Sequence, residues 1–147
     1  MCIRDSNYAS HVAAINNFVS AGIPVILPTG NNFNYLNIDD PACITGALAI
    51  SSIDDKGRLA LYANYSPRVD FAANGNLNVA IANNGFKQDF GTSLSVGVFA
   101  ASWLAVSNKK GLSYKDEYNL FKSTAKPYTN IMVKANVNGI DLNGALK

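Results

Sequence analysis

The chain has 147 residues, 48% of them apolar and 15% charged, with a formal net charge of +2. This is the length of one domain with enough apolar content for a packed core, which excludes a disordered chain. The Lys and Arg residues are scattered, and the one dense pair, Lys109-Lys110 beside Gly111, reads as a solvated loop, so nucleic-acid binding has no electrostatic support.

No apolar stretch can span a membrane, because Ser102, Ser107 and Asn108 interrupt the longest. Cys2 and Cys43 lack metal-ligand spacing and form no disulfide framework; Cys43, after Pro41-Ala42, reads as a small buried residue. Met1-Cys2-Ile3-Arg4-Asp5-Ser6 has no signal-peptide core, and residues 1–6 are set aside as foreign to the fold. The domain reading therefore covers 7–147, expected to be part of a domain. Asn is frequent and mostly sits where turns are expected, so an isolated Asn carries little meaning without its setting.

In chain order, Tyr8–Ala21 places Val12, Ile15, Phe18 and Val19 on one helical face, and Gly22 stops the helix. Ile23–Leu27 reads as a buried strand in which Pro24 marks the start. A polar loop runs from Pro28 to Cys43, and Ala47–Ile53 is a second apolar strand closed by Asp54-Asp55-Lys56-Gly57. Leu59–Tyr62, Val69–Phe71 and Val79–Ile81 read as short extended pieces. Asn83-Asn84-Gly85 marks a hairpin turn before the strand-like Phe86–Phe90.

Leu94–Val106, free of Pro and charge, predicts a helix buried on most sides. Ser113-x-x-Asp116 resembles a capping box for a helix ending near Thr124, and Asp141 caps a short helix over Leu142–Leu146. The order of helix, buried strands and core helix predicts an α/β domain, with a mainly parallel sheet and helices on both faces.

Function in such sheets collects at the carboxyl ends of strands. Ser93 stands at the first turn of the core helix, where free N–H groups and the helix dipole favour negative charge. Its hydroxyl can cap the helix or act as a nucleophile. The strand Ile23–Leu27 ends in Pro28-Thr29-Gly30-Asn31, and an Asn31 amide beside a helix-start serine is what acyl transfer requires.

Four segments together resemble the subtilisin-like serine proteases, or subtilases. Ala21-Gly22-Ile23-Pro24-Val25-Ile26-Leu27-Pro28-Thr29-Gly30-Asn31 is similar to the family strand ending in Ala-Gly-Asn. Tyr62–Gly75 is similar to its Ser-Asn-x-Gly…Asp…Ala-Pro-Gly stretch. Gly91-Thr92-Ser93-Leu94-Ser95 resembles the Gly-Thr-Ser-Met-Ala nucleophile motif, and Gly139–Leu146 resembles the closing turn and helix.

The resemblance spans about residues 8 to 147 and implies the C-terminal half of a three-layer subtilisin-like domain. It implies a serine endopeptidase acting through an acyl-enzyme, with Ser93 as nucleophile and Asn31 as oxyanion donor. It assigns substrate binding to Pro28, Thr29, Gly30, Gly91 and Thr92. The partners it implies are a peptide or protein substrate and the missing N-terminal half of the same domain, and it favours a secreted or extracellular setting. Catalysis of this class requires no cofactor. A structural calcium is compatible with the family, although the adjacent acids Asp39-Asp40 ordinarily read as solvated.

The chain departs from the family with Gly97-Val98 in place of Pro-His, Asn74 in place of Pro and Tyr65 in place of Gly. The motifs carrying the triad Asp and His are absent. His11, the single histidine, reads as a helix-surface residue, and Asp39, Asp40, Asp54, Asp55 and Asp70 have no base to orient. The fragment alone is expected to be inactive. The alternative is a divergent, catalytically dead domain that serves as a binding or assembly module. An α/β-hydrolase lacks its Gly-x-Ser-x-Gly elbow here, and no Gly-x-Gly-x-x-Gly supports dinucleotide binding.

Overall fold

The computed structural model describes residues 8–130 and 135–147, so the reading of residues 1–6, Cys2 included, lies outside the described residues. Helix α1 (Tyr8–Ser20) buries Ile15 against Ile44 and Ala47, with Val12 and Val19 half-buried beside it. Phe18, expected on that face, is 51% exposed. At about 100° per residue it falls roughly 60° beyond Ile15, outside a stripe centred on Val12, Ile15 and Val19.

Strand β1 is shorter and later than expected, Ile26–Pro28, because ladder pairing begins only past Pro24, which has no N–H to donate. Strands β2 (Leu48–Ile53) and β3 (Phe71–Asn74) follow in parallel, pairing Ile26 with Leu48 and Ile50 with Phe71. Leu59–Tyr62, expected extended, is a single antiparallel bridge of Leu59 to Ile53 followed by a turn.

A separate antiparallel hairpin, β4 (Asn76–Ile81) and β5 (Gly85–Phe90), turns through Asn83 and Asn84 at positive φ (62° and 57°). Asn tolerates that region better than other residues with a Cβ. Then come α2 (Thr92–Lys110), α3 (Tyr114–Thr124), the antiparallel pair β6 (Lys126–Asn130) and β7 (Ala135–Gly139), and α4 (Leu142–Leu146). The five-stranded sheet runs β1-β2-β3-β7-β6, parallel except for β6 at its edge.

Helices cover both faces. Leu48, Ile50 and Phe71 meet Phe99, Trp103 and Val106 of α2 and Phe121 of α3, with Phe71 on Phe99 (centroids 5.2 Å) and Trp103 on Phe121 (5.5 Å). Ala49 points to the other side, toward Ile38 and Ala42, and α1 packs on Val25 and Leu27. Helix α2 is less enclosed than its sequence suggested. Thr92, Ser95, Phe99, Ser102, Trp103 and Val106 form its buried stripe, whereas Leu104 is 60% exposed. Uniform apolarity conceals the three- and four-residue spacing that decides which side packs.

Gly111 ends α2 in the left-handed conformation (φ 60°), its N–H donating to the Ser107 carbonyl at 2.8 Å. Ser113 caps α3 by accepting from the Asp116 N–H, and Asp141 caps α4 by accepting from the Gly144 N–H, both as the sequence indicated. Below the sheet, Arg68 clasps two segments. Its guanidinium donates to the carbonyls of Ile44 (3.0 Å) and Ala47 and pairs with Asp70 (2.6 Å), while Asp70 also accepts from the Ala49 N–H (2.8 Å). Cys43 is half-buried beside this region.

Candidate active site

Loop 29–39 leaves the carboxyl end of β1 and meets the N-terminus of α2. Gly30 sits at φ 100°, and a Cβ there would stand 2.0 Å from Asp39 Oδ2 and 2.4 Å from Asn64 Nδ2, so only glycine fits. Asn64, fully buried, holds the loop from inside. Its Oδ1 accepts the N–H groups of Asn32 (2.9 Å) and Asn34 (3.0 Å), and its Nδ2 donates to Asp39 (3.0 Å). Asp39 also accepts from the Asn32 side chain at 2.9 Å, so its carboxylate is occupied by amides. No group of three His, Cys, Asp or Glu suited to a metal occurs among the described residues.

Asn31 is exposed at the tip of this arrangement, yet its side chain is fixed. Its Oδ1 accepts both the Thr92 N–H (2.9 Å) and the Thr92 hydroxyl (3.0 Å), and Thr92 Oγ1 in turn accepts the Gly30 N–H (3.2 Å). An amide whose oxygen is committed this way turns its NH2 outward. Asn31 Nδ2 and the backbone N of Ser93 lie 3.6 and 3.9 Å from the point where a Cβ on Gly91 would stand. Two N–H donors therefore border one small space over a glycine. The Ser93 N–H lies in the first helical turn, where no intrahelical acceptor precedes it.

Ser93 is exposed and does not cap α2. Gly91 holds the cap position, with no side-chain bond to the helix N-terminus, which corrects the capping alternative. Gly91 is itself tied by its N–H to the Gly75 carbonyl (3.0 Å) at the foot of the β4–β5 hairpin. Gly75 is enclosed by Ser52, Ser95 and Tyr62, whose hydroxyl lies 2.6 Å from Ser52 Oγ. Burial pushes the Tyr62 hydroxyl above its ordinary pKa, keeping it protonated as a donor.

The remaining sequence candidates are placed as follows. Pro28 and Gly30 are half-buried, and Thr29 and Thr92 are fully buried, so the two threonines turn their side chains into the protein. Thr92 positions Asn31, a role its sequence gave no sign of. His11 is exposed on α1, on the opposite sheet face from α2, with Nδ1 3.9 Å from Asp40. The structure brings together Asn31, Gly91, Thr92 and Ser93 and leaves His11 apart. Asn64 was missed in an Asn-rich chain, where only its burial distinguishes it.

The model of the subtilase family matches residues 3–139. The chain belongs to the subtilase family of serine proteases. A thermostable alkaline protease of Halalkalibacterium halodurans is 26% identical over 126 residues, covering 85% of this chain and 30% of that protein. A subtilisin-like protease of Coccidioides posadasii is 32% identical over 99 residues, covering 65% of this chain and 24% of its own length. The chain therefore spans about a third or less of these relatives.

Among solved structures, the epidermin leader peptide processing serine protease of Staphylococcus aureus superposes with a TM-score of 0.84 at 17% identity, over 95% of this chain and 44% of that one. A protease of Pseudoalteromonas arctica superposes at 0.77 with 22% identity, over 92% and 45%. At these identities the superpositions establish the subtilisin-like fold, with the mostly parallel sheet and helices on both faces described above.

Proposed function

We propose that this chain supplies the nucleophile and the oxyanion donors of a serine endopeptidase that cleaves peptide or protein substrates through an acyl-enzyme. The supporting observation is the convergence of Asn31 Nδ2 and the Ser93 N–H on the space over Gly91 (3.6 and 3.9 Å). In this reading Ser93 Oγ attacks the scissile carbonyl, and the carbonyl oxygen gains charge as it moves into that space. Donors held in place beforehand stabilise the charge without reorganising at the moment of reaction. Thr92 contributes by fixing the Asn31 amide, and the loop backbone at Pro28, Thr29 and Gly30 borders the place of the substrate residue before the cut.

Attack by Ser93 requires a base to take its proton. His11, exposed and paired with Asp40 on the far sheet face, is not placed for that role. We assign the base to a histidine oriented by an aspartate, contributed by residues outside this chain. The test is labelling with a fluorophosphonate. The 147-residue chain alone is expected to label poorly and to hydrolyse no peptide, whereas the protein joined to a segment carrying Asp-Ser/Thr-Gly and His-Gly-Thr should label at Ser93. Equal labelling of its Ser93→Ala variant would overturn the assignment.

A further inference from the structure

The β4–β5 hairpin stands apart from the main sheet and carries two of the most exposed aromatic rings of the described residues, Phe86 at 74% and Phe90 at 66% exposure. Residues two apart on a strand share a face, so Phe86, Gln88 and Phe90 line one side. The register adds Ala80, Asn78 and Asn76 opposite them on that same side. The charged residues of β5 are on the reverse side, where Lys87 and Asp89 pair at 2.9 Å. One face is thus aromatic and amide-bearing with no charge, about 13 Å long at roughly 3.3 Å per residue.

That face begins at the candidate active site. Phe90 is followed directly by Gly91-Thr92-Ser93, its ring rests on Tyr62 (centroids 5.0 Å), and the hairpin foot is fastened to the start of α2 by the bond from Gly91 to Gly75. Extending the serine-protease reading, we infer that the Phe86–Gln88–Phe90 face is a substrate-docking surface that takes an extended, uncharged peptide segment adjoining the bond to be cut. The two rings cover apolar side chains, and the amides of Asn78 and Gln88 between them suit a peptide backbone, which presents both donors and acceptors. A charged segment would lose hydration there with no opposite charge in return.

The experiment measures fluorescence polarisation of two labelled decapeptides on the complete protein carrying this chain, with Ser93→Ala to prevent cutting. One peptide alternates Leu with Ser, and the other has Glu at each Leu position. The parent is expected to bind the Leu peptide at least tenfold more tightly than the Glu peptide. Phe86→Ser and Phe90→Ser should each weaken the Leu peptide by roughly five- to twentyfold and leave the Glu peptide unchanged. Both rings are exposed, so the variants should fold as the parent does, which circular dichroism checks. Binding within twofold of the parent in both variants overturns the inference, as it would if a second copy or residues outside this chain covered the face. Equal binding of the two peptides overturns it as well. Fluorophosphonate labelling of the unmutated protein is scored separately. Phenylalanine-dependent binding without labelling leaves the docking surface standing and refutes the catalytic reading, and labelling without such dependence does the reverse.

Discussion

Asn31 and Thr92 are joined twice, the amide oxygen of one accepting both the backbone N–H (2.9 Å) and the hydroxyl (3.0 Å) of the other, across 61 residues of sequence. The pair couples the end of β1 to the start of α2 and fixes which end of the amide faces outward. Removing either partner should act on catalysis by a different route.

Asn31→Ala in the complete protein removes the proposed donor itself. Turnover is expected to fall by roughly 10² to 10³ with KM nearly unchanged, because the lost bond forms mainly in the transition state. Steady-state kinetics on a short peptide substrate checks this. A fall in melting temperature with full activity of the folded fraction would instead make Asn31 a turn residue.

Thr92→Val keeps the shape of the side chain but deprives the Gly30 N–H of its acceptor and Asn31 of one donor. A buried group left unsatisfied costs about 1–3 kcal/mol, so both the melting temperature and kcat should drop. Thr92→Ser, which retains the hydroxyl, should recover most of both.

Gly91→Ala tests the space between the donors. Its Cβ would make ordinary contacts, 3.6 Å from Asn31 Nδ2 and 3.9 Å from Ser93 N, while occupying the place where the oxyanion would form. Gly91 also holds φ 159°, a conformation that L side chains rarely adopt, so the variant should lose thermal stability too. The expected outcome is a loss of kcat in the folded fraction larger than unfolding accounts for, read by kinetics and calorimetry on the same sample.

Glu117 gives a pH prediction. It is 1% exposed, its Oε2 accepts from Ser107 Oγ at 2.5 Å, and Oε1 has no partner among the described residues. Burial raises its pKa above the ordinary carboxylate value of 4.5. A raised acid binds its proton more tightly folded than unfolded. The stability from that proton is thus complete below the unfolded value and is lost as pH rises through the folded one. Glu117→Gln should therefore melt higher than the parent at neutral pH, with the gap closing toward pH 4. A gap independent of pH would contradict this account.

Much of the fold was legible from local chemistry. Ser113 and Asp141 act as caps through bonds to their own helix ends, which is information the sequence carries directly, whereas Lys109-Lys110 beside Gly111, expected as a loop, form the last turn of α2. Strands β6 and β7 were not anticipated: Lys-Pro-Tyr-Thr-Asn shows no clear alternation, Ala-Asn-Val-Asn-Gly alternates but is short and rich in turn-forming Asn and Gly, and their pairing is decided by the sheet edge they complete. Ser93 and Asn31, the proposed nucleophile and oxyanion donor, were singled out from the Gly-Thr-Ser and Gly-Asn motifs. The residues that aim them, Thr92 and Asn64, act through bonds 61 and 30 or more residues away, and no local pattern records such bonds.

A single acceptor, Asn64 Oδ1, holds the amides of both Asn32 and Asn34. Those two hydrogens should therefore exchange with solvent deuterium in one shared opening event, at matching protection, although each belongs to an exposed residue of a surface loop. The loop beside Asn31 is also fastened by the Phe33 N–H on the Tyr62 carbonyl (3.1 Å) and the Tyr65 N–H on the Asn34 carbonyl (2.7 Å), so its opening must release the buried Asn64 side chain together with these backbone bonds.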